Sequence, residues 1–259
     1  MSAEPLLALR GVSKRYGAVE ALTDVELEIR AGEVVALVGE SGAGKSTLVK
    51  VMTGVDPADQ GSFLWQGRTV QVTRPGDAQQ LGIAAVYQDL ALCGNLDVVE
   101  NMFLGRELGT ALSLDEVEMS RRTRRLLETL SMRTPDLRAP VASLSGSQRQ
   151  TIAIARALLG EPELLLLDEP TAALGVEQTN EFLDLVERLR ERGLGMLIIS
   201  RNMGDIKAVA DRVAVLRLGR NNGLFDVNTT SQEQIFSSMS GATDNAVTHR
   251  TADVGEEFL

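Results

Sequence analysis

Cysteine is nearly missing from this chain: Cys93 is the single instance in 259 residues. An intrachain disulfide is therefore excluded and a reducing compartment is expected. A lone thiol in an apolar setting reads as packing rather than as a nucleophile. Aromatic residues are scarce, at 3%, so the core has to be built from Leu, Val, Ile and Ala. Histidine also occurs once, at His249, where it reads as an exposed residue without a role. No apolar run approaches the ~18 residues that a helical membrane span requires. The opening "MSAEPLLALR" lacks the basic start and long apolar segment of a secretory leader. A soluble protein is expected, one that deals with a membrane through a partner. Basic residues are outnumbered, 26 Lys and Arg against 36 Asp and Glu, for a net charge of −10. That balance argues against a broad nucleic-acid footprint.

What is present is an alternation of strand and helix patterns. Residues 6–12 and 25–29 read as short strands separated by the polar stretch "SKRYGAVEALTD". "EVVALVG", 33–39, is a continuous β-branched run, the mark of a strand covered on both faces. "KSTLVKVMTG", 45–54, reads as a helix, and "GSFLWQGRTVQV", 61–72, as a hairpin turning at Gln66-Gly67. After the strand "IAAVYQ", 83–88, the pattern over 97–132 is helical and charge-rich, and its "RRTRR" cluster at 121–125 reads as a solvated helix face. "SLSGSQRQTIAIARALLG", 143–160, opens with Ser and Gly and continues as an amphipathic helix. "ELLLLDEP", 163–170, is a buried strand ending in two carboxylates. Residues 176–193 follow as a helix with Phe182, Leu183, Val186 and Leu189 on one stripe. The strand "GMLIIS", a short helix around 205–210 and the strand "RVAVLRLG" come next. Thr230 and Glu233 have the spacing of a capping box for a last helix. These features predict an α/β domain over 1–240 with a mostly parallel sheet, an N-terminal antiparallel β part, an inserted helical part at about 90–155, and a mobile tail at 241–259.

"GESGAGKS", Gly39 to Ser46, fits the phosphate-binding pattern G-x-x-x-x-G-K-[ST], with a strand before it and a helix after it. Glycines let the backbone wrap closely, so successive N–H groups and the helix start point at phosphate oxygens. Gly39, Glu40, Ser41, Gly42, Ala43, Gly44, Lys45, Ser46 and Thr47 are thus the candidate nucleotide cradle. Lys45 is placed to reach the β/γ-phosphates and Ser46 to ligate Mg²⁺. Asp168 and Glu169 close an apolar strand. Beside such a loop, Asp168 suits the Mg²⁺ shell and Glu169 suits a general base toward water.

"LSGSQ" at 144–148 supplies a second anion-binding helix start, which a nucleotide already held by the first loop would not need from the same subunit. With "YQDL" at 87–90 and "LLLLDEPTAAL" at 164–174, the chain resembles the nucleotide-binding subunit of an ABC transporter over roughly residues 5–240. "ENMFLGRE", "DEPTAALG" and "VLRLGR" look most like the carbohydrate-uptake branch, the ribose, xylose and fructose importers. The resemblance implies a P-loop NTPase fold, ATP and Mg²⁺, and an ATPase that powers sugar import. It implies that Tyr16 stacks on adenine, that Gln88 senses Mg²⁺ and the attacking water, and that Ser145, Gly146, Ser147 and Gln148 face the γ-phosphate held by a second nucleotide-binding domain. Integral permease subunits and, indirectly, a sugar-binding protein are the other implied partners. The implied location is the cytoplasmic face of the membrane.

Four features depart from that family pattern. Ser147 stands where a glycine is usual, and Gly175 where many relatives carry an aspartate. The chain holds one copy of a domain that many relatives carry twice. Arg201 stands where the family places a histidine on the γ-phosphate, and His249 is too far along the chain to replace it. A degenerate or regulatory subunit that pairs with an active homologue is therefore the alternative reading. A soluble relative acting on DNA or ribosomes is disfavoured by the acidity and by the lack of coiled-coil arms.

Overall fold

The computed structural model describes residues 4–110, 113–130 and 136–242, so the expected tail, most of which follows residue 242, and His249 lie outside the described residues. In chain order the elements are β1 (Leu7–Tyr16), β2 (Val19–Ile29), β3 (Val34–Val38), α1 (Lys45–Met52), β4 (Gln60–Trp65), β5 (Arg68–Val70), α2 (Pro75–Gln80) and β6 (Ile83–Val86). There follow α3 (Val98–Phe103), the short strands β7 (Gly109–Thr110) and β8 (Ser113–Leu114), α4 (Glu116–Thr129) and α5 (Gly146–Leu158). The chain continues through β9 (Leu164–Asp168), α6 (Val176–Glu191), β10 (Gly195–Ile199), α7 (Met203–Val209), β11 (Arg212–Arg217), β12 (Arg220–Asp226) and α8 (Gln232–Ser240).

Two sheets organise these elements. The central one has the order β12-β11-β3-β10-β9-β6 and is parallel except for β12. The other, antiparallel throughout, has the order β2-β1-β4-β5. Every residue of β3, β9 and β10 is buried, as expected for strands with cover on both faces. Because successive side chains point to opposite faces, each of these strands feeds two cores. Val34, Ala36, Leu165, Leu167, Met196 and Ile198 pack with residues of α3, α5, α6 and α7. Val35, Leu37, Leu164, Leu166, Leu197 and Ile199 pack instead with α1 and the antiparallel sheet, through Leu48, Met52, Leu7 and Leu9. Few aromatics take part, as composition requires.

Several local expectations change. The polar stretch 13–24 is a continuation of β1 and β2 around the turn at Gly17-Ala18, with Tyr16 opposite Val19. Its polarity reflects a hairpin whose outer end faces solvent. The helical stretch 97–132 is split: α3 ends at Phe103 and the β7–β8 pair intervenes before α4, while 131–132 lie outside the described residues. Leu185, not Leu183, completes the buried stripe of α6. It lies three residues from Phe182 and four from Leu189, whereas Leu183 is partly buried and packs against the edge of the same core. β12 went unread because its "RNNGLFD" lacks a strand-like pattern, and only pairing with β11 orders it. The cap of α8 is Ser231 with Gln234, one residue beyond the Thr230–Glu233 pair.

The arginine cluster is an exposed face, as expected. Arg121 and Arg122 both pair with Glu118, at 2.6 and 2.8 Å, and Thr123 turns inward. Cys93 is half-buried, and its backbone N–H and C=O are both bonded to the buried Asn101 side chain.

Candidate functional site

The carboxyl ends of parallel strands in an open α/β sheet are where ligands bind, and here four sequence-predicted segments meet at one such edge. The loop Gly39–Gly44 leaves β3, Arg201 follows β10, Asp168 ends β9 with Glu169 next, and Gln88 follows β6. The strands are neighbours in the order β3, β10, β9, β6, and their carboxyl ends lie level to within a residue: Leu37 opposite Ile199, Ile199 opposite Asp168, Val86 opposite Leu167. Their side chains line a cleft of about 220 Å³ that includes Lys45, Ser46, Gln88, Asp168, Glu169 and Arg201.

The loop closes tightly over the strand end. Gly39, at φ 153°, leaves no room for a side chain: a Cβ there would stand 2.2 Å from the Leu216 carbonyl oxygen. Gly44, at φ 104°, is pressed against β2, where a Cβ would meet the Ala21 carbonyl oxygen at 2.7 Å and Leu22 Cδ2 at 2.9 Å. Both positions need glycine for space and for backbone conformation. Lys45 Nζ donates to the carbonyls of Gly39 and Glu40 at 2.7 and 2.9 Å, which holds the ammonium in the middle of the loop. Burial lowers its pKa, and the Arg201 charge adds to that, opposed by Glu169 and Asp168. Glu40, Ser41, Ala43 and Thr47 complete the loop and the first turn of α1.

Ser46 Oγ donates to Asp168 Oδ2 at 3.3 Å. Burial raises the Asp168 carboxyl above the usual carboxylate range, although Ser46, Lys45 and Arg201 all pull it down. Among the described residues no three His, Cys, Asp or Glu side chains gather into a cation cage. One hydroxyl and one carboxylate, with Gln88 in the same cleft, nevertheless suit Mg²⁺, a hard ion that takes one or two protein oxygens and completes its shell with water and phosphate.

Glu169 takes a left-handed backbone, φ 51°, while its N–H bonds to the Ile199 carbonyl at 2.9 Å. A glutamate held in that region is strained, and strain of this kind concentrates at functional positions. Arg201 Nε lies 2.8 Å from Glu169 Oε1. The N–H is not aimed at the oxygen, since Oε1 accepts no directed hydrogen bond from the described residues. The contact is one of charge on charge.

Tyr16 stands at the mouth of the loop, where its hydroxyl donates to the Asp56 carboxylate and also faces Thr47. Burial and then Asp56 push the phenol up to about 12. Lys14 Nζ sits 5.5 Å from the ring centroid and is tied to Asp59 at 3.2 Å. Tyr16 is 42% exposed as a residue.

The structure does not bring the signature residues to this cleft. Ser145 caps α5: its hydroxyl accepts from Gln148 N at 3.2 Å, and its own N–H donates to Gln148 Oε1 at 2.9 Å. Ser147 Oγ lies 3.0 Å from Ser145 Oγ. Ser145, Ser147 and Gln148 line a separate cleft of about 450 Å³ between α5 and α6, and Gly146 stands at the first position of α5.

Sequence reasoning missed Lys14, within β1, and Asp56 and Asp59, whose only signal was an unremarkable acidic loop. It also missed Arg156 of α5, which donates to the carbonyls of Leu90 and Ala91 at 2.7 and 2.9 Å and so fastens the Gln88 segment to the signature helix. An arginine within an amphipathic helix carries no such message by itself.

Fold and strand-end loop together define a P-loop NTPase. Residues 22–172 match the ABC transporter family, and the chain belongs to that family. The match includes Lys45, Gln88, Ser145 and Glu169 but stops short of Tyr16 and Arg201. The xylose/arabinose import ATP-binding protein XylG of Sulfolobus acidocaldarius is 45% identical over 83% of this chain and 86% of its own length. The fructose import ATP-binding protein FrcA of Rhizobium meliloti is 38% identical over 94% and 97%. The ribose import ATP-binding protein RbsA 1 of Rubrobacter xylanophilus is 38% identical over 98% of this chain but 51% of its own length, so the chain spans about half of that relative. Among solved structures, a nucleotide-free ATP-binding cassette superposes with a TM-score of 0.78 over 91% of this chain and 95% of its own; at 24% identity it shows the fold alone. A dimeric cassette in a post-hydrolysis state, bound to ADP and Pi, gives a TM-score of 0.73 at 26% identity, over 85% of this chain and 98% of its own.

Proposed function

We propose that this chain is the ATP-binding and ATP-hydrolysing subunit of a monosaccharide importer, working as one of two nucleotide-binding domains that close on ATP. The observation that carries the reading is the convergence of the loop Gly39–Ser46, Gln88, Asp168, Glu169 and Arg201 on the ends of four adjacent parallel strands, in a chain whose relatives are named sugar import proteins.

On this reading residues 1–240 are one ATPase domain with a helical part at about 90–155. The loop N–H groups and Lys45 hold the phosphates, and the Tyr16 ring stacks on adenine. Ser46, Asp168 and Gln88 would hold Mg²⁺, which neutralises phosphate charge. Glu169 accepts the proton of a water that attacks the γ-phosphorus as the bond to ADP breaks. Ser145, Gly146, Ser147 and Gln148 face the γ-phosphate of a second domain, a role supported by their lying in a cleft apart from this chain's own loop. Permease subunits, which are served by an external sugar-binding protein, would hold the chain at the cytoplasmic membrane face. Among the described residues no helix is long and apolar enough to cross a membrane.

Proteoliposomes holding this chain and a ribose-, xylose- or fructose-type permease should accumulate sugar only when ATP is supplied. Glu169→Gln should form a stable dimer with Mg-ATP by light scattering, and a variant that stays monomeric would count against the sandwich. The Arg201–Glu169 contact favours one second reading, a regulatory subunit with impaired hydrolysis. Loss of one preorganised donor costs on the order of 10²–10³ in rate, so Arg201→His should raise turnover strongly under that reading. Unchanged turnover would dismiss it.

A further inference from the structure

Tyr16 is the last residue of β1, where the sheet gives it little support. The pairing of β1 with β4 stops at Ser13 opposite Gln60. The other partner, β2, shifts register twice between Val12 and Arg15 before Tyr16 meets Val19. A side chain on such a hairpin end keeps one orientation only if its neighbours lock it.

Lys14 is the neighbour that does so. Its side chain is 11% exposed, and its Nζ sits over the Tyr16 ring, 5.5 Å from the centroid. The ammonium donates to the Pro57 carbonyl at 2.8 Å and to Asp59 Oδ1 at 3.2 Å, and Asp56 Oδ1 stands 3.4 Å away. The loop that carries these acceptors is itself fixed at both ends. Asp56 N donates to the Lys50 carbonyl in α1 at 3.2 Å, and Asp59 N to the Ser13 carbonyl in β1 at 2.9 Å. Arg15 N donates in turn to Asp59 Oδ2 at 2.7 Å. The cation is thus tied to the body of the chain, and a cation is drawn to the negative face of an aromatic ring. With Lys14 over one face, a flat ligand can stack only on the other. The Tyr16 hydroxyl faces Thr47 in the first turn of α1, which sets the ring beside the phosphate loop.

We propose that Lys14 is a positioning residue for the nucleobase: tied to the Asp56–Asp59 loop, its ammonium holds the Tyr16 ring by one face, and the base stacks on the opposite face. The proposal rests on the nucleotide-binding reading above and adds to it the residue that orients the stacking ring. Lys14 touches the ring and not the ligand, so it acts on the base and leaves the phosphates alone.

The test is equilibrium binding of AMP-PNP and of tripolyphosphate, each with Mg²⁺, to the full chain, to Lys14→Met, to Tyr16→Ala and to the double variant. Lys14→Met should weaken AMP-PNP about fivefold, while tripolyphosphate, which has no base, should move less than about twofold. In the Tyr16→Ala background the same change should cost AMP-PNP less than about twofold. An equal loss for both ligands, or an equal loss with and without the ring, would overturn the proposal, because Lys14 would then act by charge alone. An unchanged AMP-PNP affinity would overturn it as well. If Lys14→Met binds neither ligand, Asp59→Asn decides, since it keeps an oxygen for Arg15 N and unties the ammonium. It should weaken AMP-PNP about threefold with tripolyphosphate unmoved, and an unchanged AMP-PNP affinity would again overturn the role of Lys14. If the parent chain binds neither ligand, the nucleotide-binding reading falls, and the role of Lys14 with it.

Discussion

Ser46 and Asp168 are separated by 122 residues of chain and by 3.3 Å in space, hydroxyl to carboxylate. The contact joins the first turn of α1 to the end of β9, and it keeps a buried carboxyl beside the phosphate loop at a cost to the folded chain.

That cost has a sign. Burial raises the Asp168 pKa, so the folded chain favours the protonated acid. The stability it contributes is complete below the unfolded pKa and is lost as pH rises through the folded one. Asp168→Asn removes this loss. Without nucleotide the variant should melt higher than the parent near neutral pH, and the gap should shrink as pH falls into the carboxylate range. With Mg-ATP present the order should reverse if Asp168 holds the cation as proposed. Melting curves across pH, with and without Mg-ATP, check both.

Two loop glycines should respond differently to the same methyl group. At Gly44 a Cβ meets the Ala21 carbonyl oxygen at 2.7 Å, whereas at Gly42 nothing lies within 4 Å. Gly44→Ala should cost about 2–5 kcal/mol, from backbone strain and overpacking together. Gly42→Ala bears only the strain of its φ of 81°, about 1–3 kcal/mol. Urea unfolding of the two variants gives the comparison.

Tyr16 has a ring with exposed surface and a hydroxyl committed to Asp56. If the ring stacks on adenine, Tyr16→Ala should weaken ATP binding by about 1–3 kcal/mol, the usual worth of a base on an aromatic. Tyr16→Phe keeps the ring and loses only a solvent-facing bond, so its ATP affinity should stay within about a few-fold of the parent. Titration calorimetry distinguishes the two. Because the phenol is pushed up to about 12, neither result should depend on pH near neutrality.

Ser147 engages the Ser145 hydroxyl, Oγ to Oγ at 3.0 Å. Ser147→Gly frees that hydroxyl for a partner and should tighten the ATP-bound dimer of the Glu169→Gln background. Ser145→Ala should loosen it and also lower chain stability by about 1 kcal/mol through loss of the α5 cap. Light scattering against concentration and thermal melting separate the two effects.

Much of this site was readable from local chemistry. The Gly39–Ser46 spacing dictates a loop between strand and helix, because only that backbone gathers N–H groups around an anion. The uninterrupted "LLLLD" dictates a strand covered on both faces with an acid at its end. Ser145 and Gln148 announce a helix start through a reciprocal cap that needs no distant partner. Where only remote contacts order a segment, as with Lys14 against Asp59, nothing nearby in the chain reveals it. The Ser13–Asp24 stretch misled for a related reason: its polarity is that of a solvent-facing hairpin end, which looks the same as a loop until the pairing is known.

What spacing and residue type settled is therefore the set of parts: phosphate loop, acidic pair, glutamine, signature and an arginine beyond a buried strand. What they could not settle is adjacency. Strand order is decided by which apolar faces pack together across the whole sheet, and β10, late in the chain, inserts between β3 and β9. That insertion places Arg201 between Lys45 and Glu169, and it brings a charge at the end of a strand within 2.8 Å of the Glu169 carboxylate.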